Sequence, residues 1–449
     1  MTLAEFVVRV APPSRARAAA ARAFLDTIGV ALAGSGEPAA RIVQHVVAGG
    51  DSGCAILGTN LRADPGSAAL ANGTAAHALD YDDMCFVSLA HPSAPLVAAA
   101  LAVGEAAAAP GEALLDAYVA GFEIEGRLGR AMNPSHYERG WHCTSTLGTI
   151  GAAAAASRLL GLDVEQTGHA LAIAASEACG LKENFGTMVK PLHAGLAARN
   201  GVLAAQFARA GMVASPNAVT GAQGFMAAMD GRRSGVALDA VTGDLGSRWE
   251  IIDTGITVKL YPSCAATHPM LDVLLGLRRE HRFGADDVGA IEIGVDAITP
   301  TVLIYDIPSN GLQAKFSMPY CAAAAVIDGA VGIETFDDAR VRKPDIEPVR
   351  SRVAMRVDAT LNSAAPPLTQ VRVRLTMRGG PALSGSADGA RGYPDRPASD
   401  DELGAKFLSC ASRVLPRGAA ERALDAARAL ADAHDTRTIV NMLRSGEAV

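Results

Sequence analysis

The sequence has little of several residue types that mark particular classes of protein. Aromatic residues make up only 4% of its 449 residues, and its seven cysteines include no CxxC pair. An odd number of scattered cysteines argues against a disulfide framework and favours a reducing compartment, so we expect a cytoplasmic protein. The net charge is −7 and the basic residues are scattered, which disfavours nucleic acids and anionic membranes as partners.

Two further absences concern cofactors and membranes. The sequence has no Walker-type loop and no GxGxxG motif, so nucleotide and dinucleotide cofactors have no support. The alanine-rich stretch PLVAAALAVGEAAAA is too short for a convincing membrane span, and we expect a soluble protein. The N-terminal segment is rich in Arg and Ala, like a transit peptide, but it runs without a break into an amphipathic helical pattern. We therefore predict that it forms the first helices.

The spacing of apolar residues divides the chain into two kinds of structure. Alanine-rich segments with helical spacing dominate residues 13 to about 260. Between about 285 and 385 the pattern alternates, as in TQVRVRLTMRGG, which is typical of half-buried antiparallel strands. A capping box at 399–402 then returns the chain to helix. We predict a mainly α protein in which a large all-helical domain contains a smaller inserted α+β domain. The predicted boundaries are 1–265 and 399–449 for the helical domain and 266–398 for the α+β domain.

Lysine is rare in this chain, which has six lysines among its 40 basic residues. One of them, Lys190, stands directly before Pro191 in the stretch GTMVKPLHAG, and proline is favoured at the first position of a helix. A helix N-terminus has unpaired N–H donors and partial positive charge, which suit an anion. Singly, such residues are more often surface or core side chains, but several that converge would predict an anionic ligand. Three other segments share the pattern: LAHPSAPL with His91, GWHCTSTLG with His142 and CAATHPML with His268.

Acidic residues and a histidine precede His91 in the stretch NGTAAHALDYDDM. Imidazole and carboxylate groups suit Zn or Mn, but neither HExxH nor paired CxxC spacing occurs, so we expect no metal. Asp80 follows His77 by three residues and could orient a catalytic imidazole. Asp82 and Asp83 could simply be solvated or cap the loop.

Six blocks of sequence occur in a fixed order along nearly the whole chain: NGTAAHALDYDD, HPSAPL, GWHCTSTLGTIGAAAAASRLLGL, FGTMVKPLHAGLAARNGVLAAQFARAG, KLYPSCAATHP and KFSMPYCAAAA. Together they resemble the MmgE/PrpD family, which includes 2-methylcitrate dehydratase, cis-aconitate decarboxylase and iminodisuccinate epimerase. The resemblance implies a large all-helical domain, a smaller α+β lid domain, a homodimer, and chemistry without metal or organic cofactor.

The resemblance also implies a set of site residues. It matches five of them to catalytic positions: Lys190, His142, His91, Asp80 and His268. It places Cys264 where cis-aconitate decarboxylases have another polar residue, and we expect Cys264, His193 and Ser93 to contact the substrate. One departure is Met84, because the family often has Thr directly after the double acid.

The reactions of this family make or quench a carbanion next to a carboxylate, and preorganised cations and helix ends stabilise that charge. Lysine, unlike arginine, can lose its proton when partly desolvated, so we predict that Lys190 titrates. In this hypothesis Lys190 and His142 form the acid/base pair, His91 and His268 hold carboxylates or protonate a leaving hydroxyl, and Asp80 orients an imidazole.

The sequence therefore predicts a cofactor-independent lyase, a dehydratase or decarboxylase, acting on a small di- or tricarboxylic acid. Two alternatives stay open. One is an epimerase or racemase on a dicarboxylate such as an iminodisuccinate-type acid, and the other is a non-catalytic polycarboxylate-binding protein.

Overall fold

The computed structural model describes residues 1–49, 53–230, 239–361 and 369–445. These residues form two compact units, which we call the helical unit and the mixed unit. The helical unit spans Met1–Asn184, Met188–Thr257 and Ser399–Val449, and the mixed unit spans Phe185–Thr187 and Val258–Ala398.

The chain enters the mixed unit at Val258, which differs from the predicted boundary at 265/266. The backbone of the intervening residues bonds within the mixed unit. The Val258 N–H donates to the Gly392 carbonyl at 2.9 Å, and the Cys264 N–H donates to the Lys315 carbonyl at 3.0 Å. These hydrogen bonds join residues far apart in sequence, so helical spacing alone does not reveal them.

The first part of the helical unit follows the alanine-rich segments, and the prediction of a mainly α protein is confirmed. Its α-helices are α1 (Leu3–Arg9), α2 (Ser14–Gly34), α3 (Pro38–Val47), α4 (Pro65–Ala78), α5 (Ser93–Ala107), α6 (Gly111–Met132), α7 (Ser135–Glu138), α8 (Cys143–Leu159), α9 (Val164–Glu177), α10 (Val189–Arg209), α11 (Phe225–Asp230), α12 (Asp239–Thr242) and α13 (Glu250–Asp253). A small antiparallel pair joins β1 (Cys54–Ala55) to β2 (Arg62–Ala63). In the described ranges, every helix is too short or too polar to cross a membrane.

Helices α4 and α10 form the crossing that matters most for function. The N-terminus of helix α4 is capped. The Asp64 carboxylate accepts hydrogen bonds from the N–H groups of Gly66 and Ser67, and Pro65 occupies the first helical position. The two helices meet at glycines: a Cβ built on Gly73 would lie 3.0 Å from the Cα of Gly195. Larger residues at this crossing would push the helices apart.

The mixed unit contains a four-stranded sheet in the order β4-β3-β5-β6. In β5 the side chains alternate as predicted, with Val371, Val373 and Leu375 buried and the arginines between them exposed. One pairing differs from the antiparallel prediction: β3 and β4 are parallel, which the helices between them in sequence make possible. The elements are α14 (His268–His281), β3 (Val288–Val295), α15 (Thr299–Val302), α16 (Gly311–Ala314), α17 (Met318–Asp328), α18 (Asp338–Val341), α19 (Glu347–Arg350), β4 (Val353–Val357), β5 (Val371–Met377) and β6 (Leu383–Ala387).

The C-terminal segment returns to the helical unit as α20 (Asp400–Ala411), α21 (Arg417–Arg428) and α22 (Thr436–Met442). The predicted capping box at Ser399 is confirmed, since its side chain accepts the Glu402 N–H. Residues 446–449 of the predicted C-terminal segment lie outside the described ranges. Helix α20 also reaches the loop after α4, because the Lys406 ammonium donates to the Tyr81 carbonyl at 2.8 Å.

Candidate active site

A cluster of buried polar side chains lies in the helical unit, where several helices begin or end. We call it the polar cluster, and its members are His77, Asp80, Asp82, His91, His142, Lys190 and His193. It takes His77 from the end of α4, two aspartates from the turn that follows, and His91 from just before α5. Helix α8 begins directly after His142, and α10 contributes Lys190 and His193 from its first two turns. Of the four segments that share the predicted pattern, the structure brings those of His91, His142 and Lys190 together here, whereas His268 belongs to the mixed unit.

Lys190 is only 4% exposed, and its ammonium group bonds to two partners. Its Nζ donates to Asp80 Oδ1 at 2.6 Å and lies 2.9 Å from His77 Nε2. Asp80 has a left-handed backbone with a φ of 51°, which is uncommon for a residue other than glycine. Such strain is found where the surrounding structure needs a particular side-chain direction. Here it accompanies the approach of the Asp80 carboxylate to Lys190.

The contacts of Asp80 and Asp82 differ from those expected from sequence. Asp80 was expected to orient an imidazole, but its Oδ1 lies 3.9 Å from His91 Nε2 and bonds to Lys190 instead. Asp82 was expected to be solvated or to cap a loop, yet it is fully buried. Its Oδ2 lies 2.7 Å from His77 Nδ1 and 3.3 Å from His91 Nδ1. Asp82 is therefore the carboxylate in direct contact with imidazoles.

Burial and neighbouring charge determine the protonation of these groups. Burial alone would raise the pKa of Asp82, but His77 and His91 hold that pKa well below its usual range. Burial lowers the pKa of His77, and nearby Lys190 lowers it further while Asp82 opposes the change. At neutral pH Asp82 is consequently an anion and His77 a neutral imidazole.

His142 and His193 form a second imidazole pair, with 3.1 Å between their Nδ1 atoms. Burial lowers the pKa of His142 well below its usual value, and burial lowers the pKa of His193 to about 4. One Nδ1 must donate and the other accept, which requires at least one neutral ring. His193, which we predicted to contact the substrate, is therefore buried, and its Nδ1 already faces His142.

Ser93 and Asp83 form a support beneath the polar cluster. The Ser93 N–H donates to Asp83 Oδ1 at 3.2 Å, and the Ser93 hydroxyl contacts both Asp83 Oδ2 and the Tyr118 hydroxyl. Burial raises the pKa of Asp83 to about 8. Ser93 was expected to contact the substrate, but it is fully buried and its hydroxyl is already bonded. Its position fits the support of the His91 loop better.

His268 and Cys264 belong to the mixed unit. His268 is fully buried at the start of α14, with Nε2 3.1 Å from the Ser263 carbonyl and its ring edge-on to Tyr261. Because a carbonyl only accepts, Nε2 carries the proton. Cys264 is half-buried. These two predicted residues are close in sequence and both lie in the mixed unit, whereas the polar cluster lies in the helical unit.

Four members of the polar cluster could also be considered as metal ligands, since their ligand atoms lie within 4.8 Å of one another: His77, Asp80, Asp82 and His91. The Lys190 ammonium, however, already bonds to His77 Nε2 and Asp80 Oδ1. A positive group on two of the four atoms competes with a cation for them. We therefore do not assign these residues as metal ligands.

Comparison with known proteins gives two matches to family models. Residues 1–235 match the MmgE/PrpD N-terminal domain, and residues 261–432 match the MmgE/PrpD C-terminal domain. The chain belongs to the MmgE/PrpD family. The resemblance inferred from the sequence blocks is thereby confirmed.

Curated relatives in this family carry one activity in their names. A cis-aconitate decarboxylase from Mus musculus is 27% identical over 437 residues, covering 94% of this chain and 88% of that protein. A cis-aconitate decarboxylase-like protein from Aspergillus oryzae is 28% identical, covering 94% of this chain and 92% of its own length. A cis-aconitate decarboxylase from Aspergillus terreus is 25% identical, with 87% and 84% covered.

Two members of the polar cluster, His77 and Asp82, were not among the site residues predicted from the sequence. The pattern HxxDxD contains a usable signal, since a histidine in the last turn of a helix lies close to the turn that follows. The turn after α4 contains a left-handed residue, Asp80, and it brings the Asp82 carboxylate to the imidazoles. Nothing in the spacing alone reveals that turn.

Proposed function

We propose that this MmgE/PrpD protein is a lyase that acts on a small di- or tricarboxylic acid through a carbanion or enediolate-like intermediate. The observation that carries the proposal is the buried contact of the Lys190 ammonium with Asp80 and His77. A fixed cation in a poorly solvated site stabilises developing negative charge. A well-placed donor contributes roughly 3–4 kcal/mol. The imidazoles beside the Lys190 ammonium can accept a proton, because burial lowers their pKa values and keeps them neutral.

The side chains of the polar cluster take separate roles in this reaction. Lys190 and His142 form the acid/base pair that moves the proton at the reacting carbon. His91 lies against the Asp82 carboxylate, which stabilises its protonated form and lets it hold a substrate carboxylate. Asp80 holds the Lys190 ammonium in place. We assign His268 and Cys264 of the mixed unit to substrate contact on the family resemblance alone.

Decarboxylation is the favoured reaction within this class, because the curated relatives described above are named as cis-aconitate decarboxylases. Loss of CO₂ leaves the bonding electrons on carbon, and quenching that carbanion requires one proton from an acid such as Lys190. This chemistry needs charge stabilisation and proton transfer, which the side chains of the cluster can supply themselves, so we propose that it needs no cofactor.

The test is an NMR assay in deuterated water with citrate, methylcitrate, cis-aconitate and aspartate-like acids. We expect one tricarboxylate to lose a carboxyl group or water, with deuterium incorporated at the reacting carbon. Exchange and inversion without loss of a group would instead indicate an epimerase. Binding in a thermal-shift assay, with neither product nor exchange, would refute the lyase and indicate a binding protein.

A further inference from the structure

We propose that Asp82 and His77 act together as positioning residues that control the proton on the Lys190 ammonium. The proposal rests on the proposed function, in which Lys190 transfers a proton to or from the substrate. It extends that function to two side chains that act through Lys190. Both are buried in the helical unit, in the turn region that ends α4.

The three groups form a continuous path. Asp82 Oδ2 lies 2.7 Å from His77 Nδ1, and His77 Nε2 lies 2.9 Å from Lys190 Nζ. An ionised carboxylate can only accept a hydrogen bond, so the proton of the neutral imidazole stands on Nδ1. The lone pair on Nε2 therefore faces Lys190 and accepts from its ammonium. Asp82 thus sets the tautomer that makes His77 an acceptor for Lys190.

In this arrangement His77 Nε2 can accept a proton from the Lys190 ammonium. When the proton moves from Nζ to His77 Nε2, one N–H bond breaks and one forms, and the products are a neutral amine and an imidazolium. The positive charge then lies next to the Asp82 carboxylate, which stabilises it. The two positions of the proton give Lys190 two roles: as the amine it can remove a proton from carbon, which converts it to the ammonium, and as the ammonium it can donate a proton to a carbanion, which converts it to the amine. An aspartate–histidine pair supports a serine hydroxyl in hydrolases by the same logic.

Other charged or titratable groups around His77 affect this balance. Asp80 opposes the transfer, since its carboxylate stabilises the ammonium form of Lys190 at 2.6 Å. The rings of His91 and His142 lie at centroid distances of 4.5 Å and 5.7 Å from His77. The groups that face His77 are therefore Asp82 and Asp80 from the turn after α4, Lys190 from α10, His91 from before α5 and His142 from before α8.

The neighbouring residue Asp83 provides a matched control. Like Asp82 it is fully buried, but within the described ranges the hydrogen bonds of its carboxyl group go to Ser93 and not to an imidazole of the cluster. Replacing either aspartate by asparagine removes one ionisable group at almost constant volume. A general loss of packing would lower the activity of both variants, whereas loss of the path to Lys190 would lower that of Asp82→Asn only.

The experiment compares the full-length Asp82→Asn and Asp83→Asn variants with the wild type, using the acid identified by the NMR assay. For D82N we expect kcat to fall by about 10²- to 10⁴-fold, the range typical of lost acid/base function. KM should change little, and the acidic limb of the pH–rate profile should move to lower pH, because the His77 imidazolium has lost the counter-charge that raises its pKa. D83N should keep kcat within about tenfold of the wild type.

A second measurement needs no substrate. Nitrogen-15 NMR of the wild-type imidazoles should show the His77 proton on Nδ1, and D82N should lose that preference. If D82N does not fold, His77→Asn replaces it, because an asparagine can still donate to Asp82 but offers no Nε2 to Lys190.

The outcomes separate the two proposals. Absence of turnover by the wild type with every acid would refute the lyase, while the NMR tautomer would still test the path. A wild-type His77 with its proton on Nε2 would overturn the relay. Equal loss of kcat in D82N and D83N, with no shift in the pH–rate profile, would overturn it as well and assign Asp82 a purely structural role.

Discussion

Replacing Gly195 by alanine tests whether the close crossing of α4 and α10 places Lys190. Gly195 lies in α10 one to two turns beyond Lys190, and α4 carries His77. A Cβ on Gly195 would lie 2.3 Å from the Leu70 carbonyl oxygen and 2.3 Å from Thr74 Oγ1. Carbon and oxygen atoms in contact prefer roughly 3.5 Å, so the helices must separate by about 1 Å.

The expected magnitudes follow from that displacement. Overpacking costs about 1–3 kcal/mol, and the better helix propensity of alanine offsets up to roughly 1 kcal/mol of it. The free energy of unfolding should therefore fall by about 1–2 kcal/mol. A shift of about 1 Å between Lys190 and His77 lengthens their 2.9 Å contact beyond a hydrogen bond, so kcat should fall by roughly 10²-fold.

Urea denaturation measures the fall in the free energy of unfolding, and steady-state kinetics measures the fall in kcat. Gly168→Ala in α9 is the control, because its Cβ would meet only the Ala4 Cβ at 4.0 Å. That variant should be as stable as the wild type or more stable by up to about 1 kcal/mol, with unchanged kcat. If Gly195→Ala matches this control in both stability and kcat, the helix crossing does not position Lys190.

Two further predictions concern buried charge. Asp83→Asn should flatten the pH dependence of stability between about pH 6.5 and 8. Folded Asp83 keeps its proton up to about pH 8, whereas an unfolded aspartate loses its proton at about pH 3.9. The wild-type free energy of unfolding therefore falls as pH rises through this window. An identical slope in urea titrations of both proteins would contradict the protonated state of Asp83. Lys406→Met breaks the 2.7 Å ion pair with buried Asp26 and should cost about 3–5 kcal/mol, while the double variant with Asp26→Leu should cost less. Equal stability of the single variant and the wild type in urea denaturation would contradict a buried, paired charge.

Local sequence patterns predicted much of the fold because their causes are local. Helical spacing, the capping box at Ser399 and the alternation in β5 depend on residues a few positions apart. The parallel pairing of β3 with β4 and the unit boundary at Val258 depend on partners distant in sequence, so periodicity could not reveal them.

The candidate site was predictable only to the level of residue types. Histidine or lysine at a predicted helix start pointed to His91, His142 and Lys190, because helix N-termini have a clear sequence signature, although Lys190 lies inside the first turn of α10 rather than before it. The contacts of the two aspartates were not predictable, because they lie in a turn with a left-handed backbone at Asp80 that the residue spacing does not reveal. The sequence did not reveal that the Ser93 hydroxyl, at the start of α5, bonds to Tyr118 from a different helix.

The most direct test of the account is the comparison of Lys190→Arg with the wild type in substrate binding and turnover. Arginine keeps a positive charge but does not release its proton near neutral pH. We predict that the dissociation constant for the tricarboxylate changes by no more than about tenfold, while kcat falls by about 10³-fold or more. A Lys190→Arg variant that turns over at close to the wild-type rate would contradict proton transfer by Lys190.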